Sequence, residues 1–137
     1  MNVDVFLDSN ILIYAFAEQD ARSPVAKRLL ISGGQISVQV LNEFVNVSSR
    51  KLRIDWPEVL QRLAVVNQLL PDSSALTTET HRAAVRLAER YKLNFYDALI
   101  VASAIESECA TVLSEDMQHG MVIDGVTIEN PFLAPAP

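Results

Sequence analysis

The fold class this sequence predicts is an α/β sandwich around a mostly parallel sheet, and three observations predict it. Short apolar runs without polar alternation, such as residues 3–7 and 110–113, read as strands buried on both faces. Stretches with apolar residues at helical spacing separate those runs along the chain. The chain has 137 residues, half of them hydrophobic, which is enough for one domain with a core of its own.

The elements follow in order. Residues 3–7 form the first strand, and 10–17 can form a short helix. Pro24 suits a helix start, and Val25, Ala26, Leu29 and Leu30 make an apolar stripe that runs to about Ile31. Gly33 and Gly34 stop it. A second strand covers 35–38, and a helix with a wide apolar face covers 40–52. Asp55, Trp56, Pro57 and Glu58 mark a helix start: Asp55 caps, Pro57 fits the first turn, and Glu58 stands at capping-box spacing. Val59, Leu60, Leu63, Val66, Leu69 and Leu70 carry that helix to Pro71. Further helices are predicted over 78–91 and, almost wholly apolar after its first residue, over 97–108. Strands follow at 110–113 and, after a turn at Asp124 and Gly125, at 126–128. Residues 131–137 read as an irregular tail. With no repeat, linker or low-complexity block, residues 1–137 read as a single domain.

Composition narrows the function classes. The apolar runs are far shorter than the roughly 20 residues that span a bilayer. The segment containing Asp4 and Asp8 lacks the basic start of a secretory signal. Cys109 is the only cysteine, so an intrachain disulfide is impossible; it reads as a small core residue in a protein suited to a reducing cytoplasm. A net charge of −6 disfavours nucleic-acid binding by bulk attraction. The distribution differs, because from Arg22 to Arg53 six basic residues (Arg22, Lys27, Arg28, Arg50, Lys51 and Arg53) face one acid, Glu43. A smaller cluster holds Arg82, Arg86, Arg90 and Lys92. Each cluster reads either as a solvated helix face or as a basic patch beside an acidic site.

Asp8, Glu43, Asp97 and Asp116 are the acids least easily assigned to surface. Asp8 ends an apolar strand, where it could cap the next helix. Glu43 interrupts an apolar helical face, unless it lies on that helix's exposed side. Asp97 opens the buried helix, a position the helix dipole favours. Asp116 follows a strand, where a turn or cap role is equally open. A parallel sheet delivers strand ends to one rim, where ligands bind in α/β folds. Carboxylates gathered there repel by about 4 kcal/mol per pair at 4 Å and an effective dielectric near 20, unless a cation holds them. Oxygen ligands without clustered His or Cys select Mg²⁺ or Mn²⁺. Such ions can activate water and offset charge on a phosphodiester. They would also let an acidic chain bind RNA, with the basic patches holding the backbone. His81 and His119 lack a second ligand at metal spacing and read as surface residues.

The stretches "VFLDSNILIYAF", "SVQVLNEFVNV", "LNFYDALIVASAIESECATVLSEDMQHG" and "VIDGVTIENPF" resemble the PIN-domain nucleases and, within them, the VapC-type toxins of bacterial toxin–antitoxin pairs. The resemblance covers nearly the whole chain. It implies a three-layer fold with a central, mostly parallel sheet of about five strands flanked by helices. It implies that Asp8, Glu43, Asp97 and Asp116 ligate one or two Mg²⁺ or Mn²⁺ ions, with Asn10 and Ser114 in support. It further implies an RNA substrate cut endonucleolytically, a cognate antitoxin and a homodimer. Within the first basic patch, Arg50, Lys51 and Arg53 are the candidates for holding the RNA backbone. Two other readings compete. A phosphatase of the haloacid dehalogenase type would use Asp8 as a covalent nucleophile, but it wants an acid where Asn10 stands. A non-enzymatic binding module could keep the fold without the chemistry.

Overall fold

Phe6 and Leu7 expose no surface to solvent, and burial on both faces is why the first apolar run shows no alternation. They belong to β1 (Val5–Leu7) in a computed structural model that describes residues 4–133. Val3, expected to open this strand, and residues 134–137 of the expected tail lie outside the described residues. The chain turns directly from β1 into α1 (Ser9–Ala15), then α2 (Ser23–Ser32), with Pro24 in its first turn and Gly33 as its cap. Gly34 has a steric reason: a Cβ there would stand 3.0 Å from the Val5 carbonyl oxygen and 3.2 Å from the Leu7 side chain. That close approach lets Gln35 pair with β1, its N–H donating to Val5 O (2.8 Å) and its carbonyl accepting from Leu7 N (2.9 Å).

The second strand is shorter than the predicted 35–38. It is β2 (Ile36–Ser37), and it ends because the Ser37 hydroxyl caps α3 (Val38–Asn46), accepting from Val40 N. The helix predicted over 40–52 is in fact two segments: α3 passes into a π-helical turn, Val47–Lys51, closed by Leu52 N donating to Val47 O at 2.9 Å. α4 (Trp56–Leu69) starts as predicted, with Asp55 accepting from Glu58 N. The Glu58 side chain does not complete a capping box but pairs with Arg62 at 3.2 Å. β3 (Ser73–Ser74) and α5 (Thr78–Tyr91) follow. α6 (Phe95–Glu106) begins two residues before the predicted Asp97, because the Asn94 side chain caps it through Tyr96 N at 2.9 Å. β4 (Thr111–Leu113), β5 (Val122–Ile123) and β6 (Val126–Glu129) complete the chain.

Among the described residues the main sheet has four strands, where about five were expected, in the order β1-β4-β6-β5. It is parallel except for the β5–β6 hairpin. Asp124 and Gly125 turn that hairpin with φ of 46° and 86°, the left-handed pair that a two-residue turn needs. The predicted second strand pairs instead with β3, and the Phe6–Gln35 bridge ties that small parallel ladder to β1. Among the described residues, six α-helices flank these sheets. Phe6, Leu12, Val40, Phe44, Ile100 and Ile128 lie in one continuous core, with Cys109 buried at its edge as predicted. No helix among the described residues is long and apolar enough to cross a membrane.

Candidate active site

The parallel register places Leu7 beside Leu113, so the next residues along each strand, Asp8 and Ser114, emerge side by side. Asp8 divides its oxygens between two tasks. Oδ1 accepts from Ser9 N at 2.7 Å and caps α1; Oδ2 accepts from the Ser114 hydroxyl at 2.7 Å and from Asn10 Nδ2 at 3.3 Å. The cap reading of Asp8 is therefore met, with its second oxygen held by Ser114 and Asn10. Asn10 Nδ2 also faces Ser114 Oγ (3.2 Å) and Asp116 Oδ2 (3.2 Å), while its Oδ1 accepts from Glu115 N. One amide with two hydrogens thus faces three acceptors. Asp8, Asn10 and Ser114 are buried and Asp116 is exposed.

Glu43 on α3 and Asp97 in the first turn of α6 approach from the other side, each half-buried. Burial pushes the Glu43 carboxyl up to about 7, and Asp8, Asp97 and Asp116 push in the same direction. Burial likewise raises Asp8 to about 6, against the hydrogen bonds from Ser114 and Ser9 and with the help of Asp116 and Asp97. Asp97 is raised by burial and then by Asp116. The four acids therefore feel one another. Glu43 Oε1 is buried with no hydrogen-bond partner among the described residues. Among the same residues, no three acid, His or Cys side chains stand close enough together, as placed, to hold a metal ion, and carboxylates without a counter-charge are expected to stand apart.

A cleft of about 540 Å³ opens over this group, walled by Asn10, Glu43, Asp116, Lys51 and Arg22 among others. Of the three basic residues singled out in the sequence, Lys51 lies in this wall. Arg50 faces a neighbouring depression beside Trp56, and Arg53 is exposed in left-handed backbone with φ 55°. Arg22 is not a free basic residue. It binds Asp20 through Nε and Nη2 (2.8 and 2.6 Å) and Glu115 through Nη1 (2.6 Å), and its guanidinium lies 3.8 Å over the Tyr14 ring. The Tyr14 hydroxyl donates to the same Glu115 oxygen at 2.7 Å. Asp20, Tyr14 and Glu115 were not singled out in the sequence, because their partners lie up to 101 residues away. Together they fix the loop that carries Ser114 and Asp116. Glu115→Ala is expected to lower stability by about 1 kcal/mol, less at high salt because these groups are partly solvated; denaturant titrations at two ionic strengths check it. The second basic cluster is a solvated helix face, with Arg82 paired to Glu79 and Arg90 3.8 Å from Asp124. His81 lies edge-on to Phe95, and His119 accepts from Asn130 N; both are exposed and apart from the acids.

Known proteins share this fold. The solved structure of VapC20 from Mycobacterium tuberculosis, described as a sarcin–ricin loop cleaving toxin, superposes with a TM-score of 0.68 at 21% identity over 82% of this chain and 91% of that one. VapBC2 from Rickettsia felis, bound to a promoter DNA fragment, gives 0.67 at 21% identity over 92% and 97%. DNA-bound VapBC from Salmonella typhimurium gives 0.63 at 19% identity over 95% and 99%. No curated protein matches. The profile of the PIN domain matches residues 5–120, a span that begins on β1 and takes in every acid of the cleft, and the chain therefore belongs to the PIN-domain family.

Proposed function

We propose that this protein is a divalent-metal-dependent endoribonuclease and the toxin of a toxin–antitoxin pair, with Asp8, Glu43, Asp97 and Asp116 as the ligands of Mg²⁺ or Mn²⁺. One observation carries the reading. A Glu43 oxygen, buried with no donor among the described residues, belongs to a cleft that Asp116 also lines, and Asp8 and Asp97 lie near enough to push the Glu43 carboxyl up, while Arg22 on the same wall is already engaged by Asp20 and Glu115. An all-oxygen donor set of this kind suits a hard cation. When bound, such an ion supplies Lewis acidity that lowers the pKa of water and offsets charge on phosphodiester oxygens. The chain's own residues do the positioning. Ser9 N–H and the Ser114 hydroxyl fix the Asp8 carboxylate, and Asn10 holds Asp116 beside it. Asp8 and Glu43 give up any proton they carry when the site is loaded. Lys51 on the cleft wall, with Arg50 and Arg53 beyond it, faces the RNA backbone.

The toxin reading draws support from family membership and from VapC20, whose description names RNA-loop cleavage. VapBC assemblies among the similar structures support a cognate antitoxin as partner. A homodimer and a cytoplasmic site of action complete the proposal. The phospho-aspartate alternative loses ground, because Asn10 is an amide occupied with three acceptors and cannot serve as the second acid. The test is incubation of purified, antitoxin-free protein with total RNA, with and without Mn²⁺, beside Asp97→Asn. Metal-dependent fragments are expected from the unmodified protein alone, and identical RNA patterns from both proteins would overturn the reading.

A further inference from the structure

Glu43, Asn42 and Asn46 connect the acid cleft to surface beyond it. The cleft of about 540 Å³ shares Glu43 and Asn46 with a depression of about 350 Å³ that also holds Gln39 and Tyr96. That depression shares Asn42 and Asn46 with a third, of about 390 Å³, that holds Arg50 and Trp56. The three form one continuous trough along α3 and the π-helical turn.

Its walls bring three kinds of group together. Trp56 and Tyr96 leave 58% and 57% of their area exposed, a cost for large rings unless something covers them. The side-chain amides of Gln39, Asn42 and Asn46 make no hydrogen bond among the described residues. Arg50 and Lys51 form no ion pair among the described residues, so neither charge is committed elsewhere. Stacking faces, uncommitted amides and unpaired cations, continuous with a charged cleft, are the chemistry that receives unpaired nucleotides: rings stack bases, amides meet base edges, and cations meet phosphates. A duplex keeps its bases stacked inside and cannot offer them.

We propose that this trough binds unpaired RNA nucleotides flanking the phosphodiester at the acid cleft, with Trp56 and Tyr96 as stacking platforms. The inference rests on the nuclease reading. Trp56 is the only tryptophan of the chain, so its emission reports directly on stacking without any substitution. The protein, in chelator at low ionic strength, is titrated with three probes: a random-sequence single-stranded RNA of about twelve nucleotides, an abasic ribose–phosphate oligomer of equal length, and the corresponding RNA duplex. Emission is expected to fall with the single strand only. Trp56→Ala and Tyr96→Ala are each expected to weaken single-strand binding about tenfold, with Trp56→Phe recovering most of the loss. Three results would each overturn the trough: unchanged emission at saturating RNA, equal affinity for the abasic oligomer, or a sedimentation mass that drops on Trp56→Ala, which marks the face as a contact between copies. Cleavage in Mn²⁺ is scored in parallel. Cleavage without quenching removes the trough alone, and quenching without cleavage removes the nuclease reading and leaves an RNA-binding surface.

Discussion

Asp8→Asn is expected to abolish RNA cleavage and, in the absence of divalent cations, to make the protein more stable. Both effects come from one carboxylate. Asp8 is 3% exposed, and its nearest help consists of two hydrogen bonds from Ser9 and Ser114. These do not offset burial, which holds the group up at about 6. At pH 8 the native state must therefore carry a charge that the unfolded state carries more easily, and removing it is worth about 2 kcal/mol. Asparagine keeps an oxygen for Ser9 N and remains a good cap, so α1 is retained. Cleavage is expected to fall by more than about a hundredfold, because losing even an outer partner of a metal ligand costs about 10- to 100-fold. Denaturant midpoints in chelator at pH 8 and pH 5, beside RNA cleavage rates in Mn²⁺, check both halves. A variant less stable than the parent at pH 8 that still cuts RNA contradicts the assignment. A gain at pH 5 equal to that at pH 8 contradicts its electrostatic cause.

The unmodified protein is expected to lose stability as pH rises when no divalent cation is present. Asp8 and Glu43 hold their protons up to about 6 and about 7 in the folded chain, whereas ordinary carboxyls release them near 4. Between those limits the native state binds more protons than the unfolded one, so stability is highest near the ordinary carboxyl range and falls through pH 6 and 7. Counting Glu43 for less because it is half solvated, the loss from pH 5 to pH 8 is on the order of 3 kcal/mol. The lowered carboxyls, Asp20 and Glu115, act below this window and do not cancel it. Mn²⁺ is expected to reverse the trend, since an ion at about 100 times its dissociation constant adds about 2.7 kcal/mol, and to do so more at pH 8 than at pH 5 because the ligands must be ionised. Denaturant titrations across this range, with and without Mn²⁺, decide the matter; a midpoint that stays flat or rises with pH in chelator contradicts the expected trend.

The parts of this fold that were legible in the sequence are those held by burial. The runs ending at Leu7 and Leu113 announce β1 and β4 because both faces need apolar residues. The acids stood out because they interrupt such runs. β3 was not legible, since Ser73 and Ser74 carry no strand preference and pair only because β2 lies alongside. β5, two residues at the sheet edge, exists as the return arm of a hairpin whose turn was visible. The start of α6 has a local signal in Asn94, a good cap placed three residues before an acid. The pairing of Arg22 with Glu115 has none, because no local pattern relates residues 93 apart. Counting Arg22 as free charge therefore overstated the basic patch. The four acids could be nominated from the sequence, but that Glu43 has an oxygen without a donor is a property of the assembled interior.

The π-helical turn at Val47–Lys51 is a place where the chain can change length by one residue. Its i→i+5 step holds one residue more than an α-helical turn would. Deleting one residue of the stretch would return it to the ordinary ladder and leave the chain beyond at nearly the same angle, because a turn of either kind closes about one full circle. In a regular α-helix the same deletion would rotate everything downstream by about 100°, at 3.6 residues per turn. Lys51 and the segment leading to Trp56 would therefore keep their side of the cleft after a loss that an ordinary helix could not absorb.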